Sequence, residues 1–182
     1  NRYPDREFMP LREALADYLG AGLKPENIWA ANGSNEVIQA ILLAYGGAGR
    51  KVATFEPTYQ MYAQIARVTG AQVVEGERQS DLTLDVAEIE RVVKEHQPSV
   101  TFLCNPNNPT GTMVDQAAID RFMAKVPDHV IVVFDEAYYE FSGVTALPLI
   151  RDYPNLFVSR TFSKFSEEKI VEVKQRHVRI LN

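Results

Sequence analysis

Val130-Ile131-Val132-Val133-Phe134 is an uninterrupted apolar run, and Asp135-Glu136-Ala137-Tyr138 follows it directly. A short strand that is apolar on both faces is typical of a parallel sheet covered by helices on each side. In both directions from this run, short apolar segments alternate with amphipathic helical patterns. The alternation predicts an α/β domain with a largely parallel sheet and right-handed crossovers.

The predicted elements extend from residue 8 to residue 158. Apolar residues at helical spacing predict helices over 8–19, from Asn32–Glu36 to about residue 45, after Tyr59 to about Val68, around 86–93, and from Asp115 to about residue 125. Short apolar segments predict strands at 28–31, 51–55, 72–74, 100–103, 130–134 and 156–158.

The composition is that of an ordinary globular protein. A net charge of −5 gives no indication of binding to nucleic acid or to an anionic membrane, and no apolar run is long enough to span a bilayer. Cys104 is the single cysteine, which excludes an internal disulfide and fits a reducing compartment, so we expect a cytoplasmic protein. Its place at the end of an apolar run favours a buried structural thiol. The three histidines lack metal-ligand spacing, and no metal site is expected.

Polar clusters follow the predicted strands at their carboxyl ends. In an open parallel sheet these ends line the ligand crevice, so the clusters are expected to form one site. The five clusters are Asn32–Glu36, Glu56–Tyr59, Asn105–Gly111, Asp135–Tyr138 and Ser159–Lys164.

Two of these clusters are expected to bind groups of opposite charge. Gly33-Ser34-Asn35 opens a helix, where free N–H groups and the helix dipole favour a phosphate, although ordinary N-capping by Ser34 or Asn35 is the alternative. Asp135 ends a very apolar strand, where a carboxylate needs a cationic partner. Lys164 is one candidate for that partner, and a bound protonated heterocycle is another; the alternative is a strand-end aspartate that only caps a turn.

The remaining groups suggest a ring with a phenolic oxygen and an aldehyde. Tyr138 offers a phenol donor, and Asn108 offers an amide held between prolines, although it is also a common turn residue. Tyr59 offers a ring face for stacking, or is a core tyrosine under a loop. Lys164, which follows the hydroxyls of Thr161 and Ser163, suits a Schiff base beside an anion, whereas a lone strand-end lysine is usually just solvated. Together these groups describe a site for pyridoxal 5′-phosphate.

The motifs NPNNPTG (105–111), DEAY (135–138) and SRTFSK (159–164), in this order, resemble those of the fold-type-I pyridoxal-phosphate aminotransferases. The resemblance covers residues 1–164 and implies the three-layer α/β/α large domain of such an enzyme, with a mostly parallel sheet. Further stretches resemble the histidinol-phosphate aminotransferases more narrowly: Asn1–Pro4, Gly33–Glu36 and Glu56–Tyr62. Other aromatic or acid aminotransferases and phosphothreonine decarboxylases share several of these motifs.

The resemblance implies a role for each matching residue. Lys164 would carry the cofactor and move the proton during catalysis, and Asp135 would pair with the pyridinium nitrogen. Asn108 and Tyr138 would bind the phenolic oxygen, and Tyr59 would stack on the ring. The phosphate would be held by Ser34, Asn35, Thr161 and Ser163, and by Tyr3 reaching the other subunit of a homodimer.

The implied reaction moves an amino group between L-histidinol phosphate and 2-oxoglutarate, an amino donor and a 2-oxo acid, in histidine biosynthesis. The pattern ends at Lys164, because residues 165–182 lack the glycine-rich stretch and phosphate-binding arginine that the family places there. We therefore interpret 1–164 as an incomplete large domain, without the N-terminal arm and the small C-terminal domain, and 165–182 as an unrelated tail. A chain of this kind is expected to turn over little by itself. A non-catalytic remnant or association module is the alternative of another class.

Overall fold

A five-stranded, all-parallel sheet is the centre of the chain, as predicted. The structure is a computed structural model that describes residues 5–164; Tyr3 and the 165–182 tail lie outside the described residues. The strands are β1 (Lys51–Glu56), β2 (Gln72–Glu77), β3 (Val100–Cys104), β4 (Ile131–Asp135) and β5 (Leu156–Ser159). Their order in the sheet is β2-β1-β3-β4-β5.

Between residues 5 and 164, five helices lie close to their predicted positions, and a sixth, Tyr139–Ser142, was not predicted. Asp115 caps the helix Gln116–Met123 as expected, because its carboxylate accepts a hydrogen bond from Ala118 N at 2.7 Å, and Asp85 caps the helix Val86–His96 in the same way. None of the helices between residues 5 and 164 has both the length and the apolar character that a membrane span requires. The helices are α1 (Met9–Leu19), α2 (Gly33–Tyr45), α3 (Met61–Val68), α4 (Val86–His96), α5 (Gln116–Met123) and α6 (Tyr139–Ser142), with 3-10 turns at Pro25–Asn27, Leu147–Arg151 and Phe162–Lys164.

Two hydrophobic cores, one on each face of the sheet, make the domain three-layered. On one face α4 and α5 pack against the sheet through Ile89, Val92, Ile119 and Phe122. On the other face α2 and α3 pack through Ile38, Leu42, Tyr62 and Ala66. Strand residues alternate between the two cores, as in Val132 and Val133, so β4 is apolar on both faces for the expected reason.

The predicted strand at residues 28–31 is wrong. Local backbone hydrogen bonds turn the chain at both ends of this segment: Ile28 N donates to Pro25 O, and Gly33 N donates to Ala31 O. The segment pairs with no strand of the sheet, and Trp29 is half exposed. Four apolar residues were too short a pattern to distinguish a strand from an extended connection.

The chain reverses its direction of travel across the sheet between β1 and β3. The connection to β2 runs through α3 on one face, whereas the connections to β3 and β4 run through α4 and α5 on the other. A crevice is expected at this switch point, outside the carboxyl ends of the strands. The neighbouring strands β3, β4 and β5 end in register there, with Asp135 paired to Cys104 on one side and to Ser159 on the other.

Gly76→Ala is expected to destabilise the fold by about 1–3 kcal/mol, because it overpacks a filled core. Gly76 lies beside Phe55 in the β1–β2 ladder, and a Cβ atom there would stand 2.5 Å from the Phe55 ring. The free energy of unfolding in urea measures the effect, with Glu77→Ala on the exposed face of β2 as the control. Equal stability of the two variants would contradict this account of the core.

Candidate active site at the carboxyl edge of the sheet

One cavity of about 300 Å³ at the carboxyl edge is lined by all nine predicted site residues that lie in the described part of the chain. Five separate segments deliver them. Although residues 28–31 are not a strand, the cluster that follows them still reaches the cavity through the start of α2. The nine residues are Ser34, Asn35, Tyr59, Asn108, Asp135, Tyr138, Thr161, Ser163 and Lys164.

Asp135 is the buried charge of the site, with only 2% of its surface exposed. Its two carboxylate oxygens accept hydrogen bonds from neutral donors: the Tyr62 hydroxyl at 2.6 Å and Ala137 N at 3.1 Å. Burial raises the pKa of Asp135 above its ordinary value, and these hydrogen bonds only partly oppose the rise. The carboxylate is therefore oriented by its donors, while no described cation compensates its charge.

The suggestion that Lys164 is the partner of Asp135 is not supported, because the side chain bound to Asp135 is Tyr62. Tyr62 is fully buried on α3, stacked on Phe102 with the ring centroids 4.6 Å apart. Burial, and next the charge of Asp135, raise its pKa well above the ordinary value, so Tyr62 stays a protonated donor. Sequence analysis missed Tyr62 because an aromatic residue on a helix face is ordinarily a core residue.

Lys164 lines the cavity near Tyr138. Its Nζ atom is 5.6 Å from the centroid of the Tyr138 ring, close enough for a cation–π contact. Thr161 and Ser163 precede it in one short turn, with their hydroxyl oxygens 3.0 Å apart. Two hydroxyls and an ammonium group are thus presented together at the end of β5, which suits an anion.

The first turn of α2 forms another wall of the cavity. Neither Ser34 nor Asn35 is the N-cap residue of this helix, so the N-capping role considered for them is not the one they have. Asn32 occupies the N-cap position, and its side chain makes no cap hydrogen bond. Gly33, with φ of 75°, turns the backbone into the helix, a conformation that other residues rarely adopt. The start of α2 therefore presents backbone N–H groups and a positive dipole end toward the cavity that Ser34 and Asn35 line.

Tyr59 is half-buried and belongs to the cavity wall, not to the core alone. Its hydroxyl donates to Asn35 Oδ1 at 3.1 Å, and its ring meets Tyr62 edge to face. The hydrogen bond ties the loop after β1 to the start of α2. One face of a planar ligand can stack on such a fixed ring.

Asn108 is held in place by neighbours that sequence analysis did not single out. Asn107 is buried, accepts from the Thr58 hydroxyl at 2.8 Å and donates to Pro57 O at 3.0 Å, which joins the loops after β1 and β3. Asn105 holds the far end of its loop through two hydrogen bonds with the backbone of Val114. The amide of Asn108 consequently projects from a loop anchored on both sides.

Cys104 is buried, as expected, although it also lines the cavity. Burial raises the pKa of its thiol to about 11. The neutral thiol contacts Pro106 O at 3.4 Å. A thiol of this kind is a poor nucleophile at neutral pH, and Cys104 forms part of the cavity wall.

The groups that line the cavity differ in the charge they suit. The start of α2, Thr161 and Ser163 offer donors that suit an anion, and the carboxylate of Asp135 suits a cation. An amine, Lys164, and a stacking ring, Tyr59, complete the wall. A flat ligand with a phosphate, an aldehyde and a protonated ring nitrogen matches all of these groups, and the volume lies at the lower end of small-molecule sites.

The chain is similar to known aminotransferases over most of its length. The family model for aminotransferase class I and II matches residues 1–166. A histidinol-phosphate aminotransferase of Thermobifida fusca (strain YX) is 52% identical over 167 residues, which are 90% of this chain and 45% of the relative. That of Paenarthrobacter aurescens (strain TC1) is 51% identical over 168 residues, with the same coverage. The chain thus spans about 45% of the length of these curated relatives.

Solved structures give the same match. The crystal structure of histidinol-phosphate aminotransferase from Sinorhizobium meliloti in complex with pyridoxal-5′-phosphate has a TM-score of 0.81 at 30% identity, over 90% of this chain and 44% of that one. A putative histidinol-phosphate aminotransferase from Erwinia carotovora atroseptica has a TM-score of 0.82 at 26% identity, over 98% and 56%.

Asp135→Asn is expected to stabilise the ligand-free protein at pH 7. Because the folded-state pKa of Asp135 is raised, the folded state binds more protons than the unfolded chain between the two pKa values, and stability falls as pH rises through that window. Asparagine keeps the shape without the charge. The advantage in unfolding free energy should therefore disappear as the pH is lowered to the ordinary aspartate range.

Asp81→Asn is the control for this change, since Asp81 is exposed and hydrogen bonds from Thr83 lower its pKa. The control should not be stabilised at pH 7. Lower stability of Asp135→Asn than of the native protein at pH 7 would show that the bonds from Tyr62 and Ala137 outweigh the cost of burying the charge.

Proposed function

The chain belongs to the class I and II aminotransferase family, and on that premise we propose that it is a pyridoxal-phosphate-dependent aminotransferase. The proposed reaction transfers an amino group between L-histidinol phosphate and 2-oxoglutarate in histidine biosynthesis. The observation that carries the proposal is the single cavity in which the amine of Lys164 and the buried carboxylate of Asp135 stand among the other predicted cofactor residues.

Pyridoxal 5′-phosphate fits the chemistry of this cavity. The buried carboxylate of Asp135 has neutral donors but no described counter-charge, and a protonated ring nitrogen would supply one. The phosphate would take the start of α2 with Ser34 and Asn35 on one side and Thr161 with Ser163 on the other.

When bound, this cofactor supplies an electron sink that stabilises negative charge at the Cα atom of the amino donor. Lys164 would hold the cofactor through its amine and would then take the Cα proton and return it. Asp135, oriented by Tyr62 and Ala137, would hold the proton at the ring nitrogen. Tyr138 and Asn108 would donate hydrogen bonds to the phenolic oxygen, and Tyr59 would exclude water from one ring face.

The choice of L-histidinol phosphate rests on the names of the relatives, which are about half identical to this chain over 90% of its length. Two further parts of the proposal rest on the resemblance and on composition. The protein would act as a homodimer in which Tyr3 reaches the phosphate of the other subunit. It would work in the cytoplasm, in keeping with one reduced and buried cysteine.

Lys164→Ala is expected to abolish covalent binding of pyridoxal phosphate, since it removes the amine that reacts with the aldehyde. The native chain mixed with the cofactor should develop an absorbance band of the bound form near the visible edge, and the variant should develop none. Lys94→Ala, an exposed lysine on α4, is the matched control and should keep the band. A band of equal strength in Lys164→Ala would overturn the assignment of this lysine.

Because the chain is expected to turn over little by itself, the amino donor is tested in a single half-reaction, followed by the spectral change when donors are added to the cofactor-loaded chain. L-Histidinol phosphate is expected to change the spectrum at least about tenfold faster than L-phenylalanine, L-aspartate or phosphothreonine, because a site built for polar substrate groups rejects analogues that lack them. A faster change with any of the other three would reassign the substrate while leaving the cofactor site intact.

A further inference from the structure

The buried Glu136 and the half-buried Arg160 form an ion pair that none of the proposed cofactor contacts uses. The carboxylate of Glu136 is 1% exposed and accepts from Ala146 N at 2.7 Å and from the Thr145 hydroxyl at 2.8 Å. Arg160 donates to the same carboxylate from Nη2 at 2.9 Å and from Nε at 3.1 Å. A fully buried carboxylate with this many donors is fixed in position.

The guanidinium of Arg160 is equally constrained. Its Nη2 also donates to the Thr145 hydroxyl at 2.9 Å, and the group lies 3.7 Å over the ring of Tyr139. A planar guanidinium that is bonded at its edge and stacked on its face keeps one orientation. The ion pair therefore holds the segment after β4 and the segment after β5 in a fixed relative position.

The pair joins the two segments that carry the opposite sides of the proposed cofactor site, although neither residue lines the cavity itself. Glu136 follows Asp135 directly and stands two residues before Tyr138, whereas Arg160 directly precedes Thr161. The β4–β5 ladder ends with Asp135 opposite Ser159, followed by a last backbone bond from Glu136 N to Ser159 O at 2.8 Å. Beyond this last backbone hydrogen bond, where the chains after β4 and β5 separate, the ion pair still links the two segments.

We propose that Glu136 and Arg160 are positioning residues whose ion pair fixes the distance between the ring-binding side of the cavity, Asp135 and Tyr138, and the phosphate-binding turn, Thr161 and Ser163. This inference rests on the proposed function. A cofactor gains affinity from both sides only if their spacing matches its length. The ion pair thus determines how much the phosphate adds to the affinity of the ring.

Stability alone does not account for such a pair. Replacing a buried ion pair with neutral groups is often neutral for folding, because the desolvation of the charges offsets their attraction. Burial raises the pKa of Glu136 in spite of the neighbouring Arg160, in keeping with a costly desolvation. A directional contact between two loops that carry site residues gives the pair a geometric use.

The test compares two ligands that cannot bond covalently to Lys164: pyridoxine 5′-phosphate and pyridoxine, which differ only in the phosphate. Isothermal titration calorimetry, or competition against pyridoxal phosphate, gives both dissociation constants. In Arg160→Lys the preference for the phosphorylated ligand is expected to fall by about tenfold, because small misplacements of binding groups are costly. The affinity for pyridoxine should change much less.

Arg91→Lys is the matched control, since Arg91 makes a two-nitrogen ion pair with Glu88 on the exposed face of α4, away from the cavity. Its preference for the phosphorylated ligand should equal that of the native chain. If Arg160→Lys folds poorly by circular dichroism and thermal unfolding, the double variant Glu136→Gln with Arg160→Gln replaces it. That variant removes the ion pair without leaving a buried charge unpaired. The same fall in preference for the phosphorylated ligand is expected.

An unchanged preference in Arg160→Lys, or in the double variant where that replaces it, would overturn the inference, since a merely structural role weakens both ligands alike. A native chain that shows no preference for pyridoxine 5′-phosphate and no Lys164-dependent band would instead refute the proposed function. The two failures are therefore distinguishable.

Discussion

The register of the parallel ladder at the carboxyl edge of the sheet is the constraint on which the site depends. Cys104, Asp135 and Ser159 stand side by side on adjacent strands, so the three loops that follow leave the sheet at the same level. A shift by one residue would turn each side chain to the opposite face. The apolar alternation of β4 between two cores opposes such a shift, and core packing therefore fixes the geometry of the site.

Asp135 shows how folding and function conflict in this arrangement. A strand end buried between two cores is an unfavourable position for a carboxylate, and burial accordingly raises the pKa of Asp135. Tyr62 reduces the cost with a neutral hydrogen bond and leaves the charge itself uncompensated. The carboxylate is thereby held ready for a cationic ligand group, as expected where stability is given up for binding.

The sequence predicted the sheet, its helices and the convergence of nine side chains, because these depend on apolar periodicity and on the position of polar clusters after strands. It did not predict Tyr62 or the Glu136–Arg160 pair. Tyr62 lies within an ordinary helical stripe, and Glu136 lies inside a motif whose other members attracted attention. Which way such side chains point depends on packing between segments far apart in the chain, which a local pattern does not contain. The error at residues 28–31 has the same origin, since only the hydrogen bonds of that segment exclude a strand.

The charges around the cavity also bear on how a ligand is oriented in it. The start of α2 and Lys164 favour an anion, whereas Asp135 favours a cation. A ligand with unlike charges at its two ends gains from both sides in one orientation, and in the reverse orientation places like charges against each other. Under the proposed function, charge would select the orientation of the ligand, and the spacing that the Glu136–Arg160 pair is proposed to set would select its length. The ligand would then be recognised by two independent criteria, and the loops after β4 and β5 carry most of the residues for both.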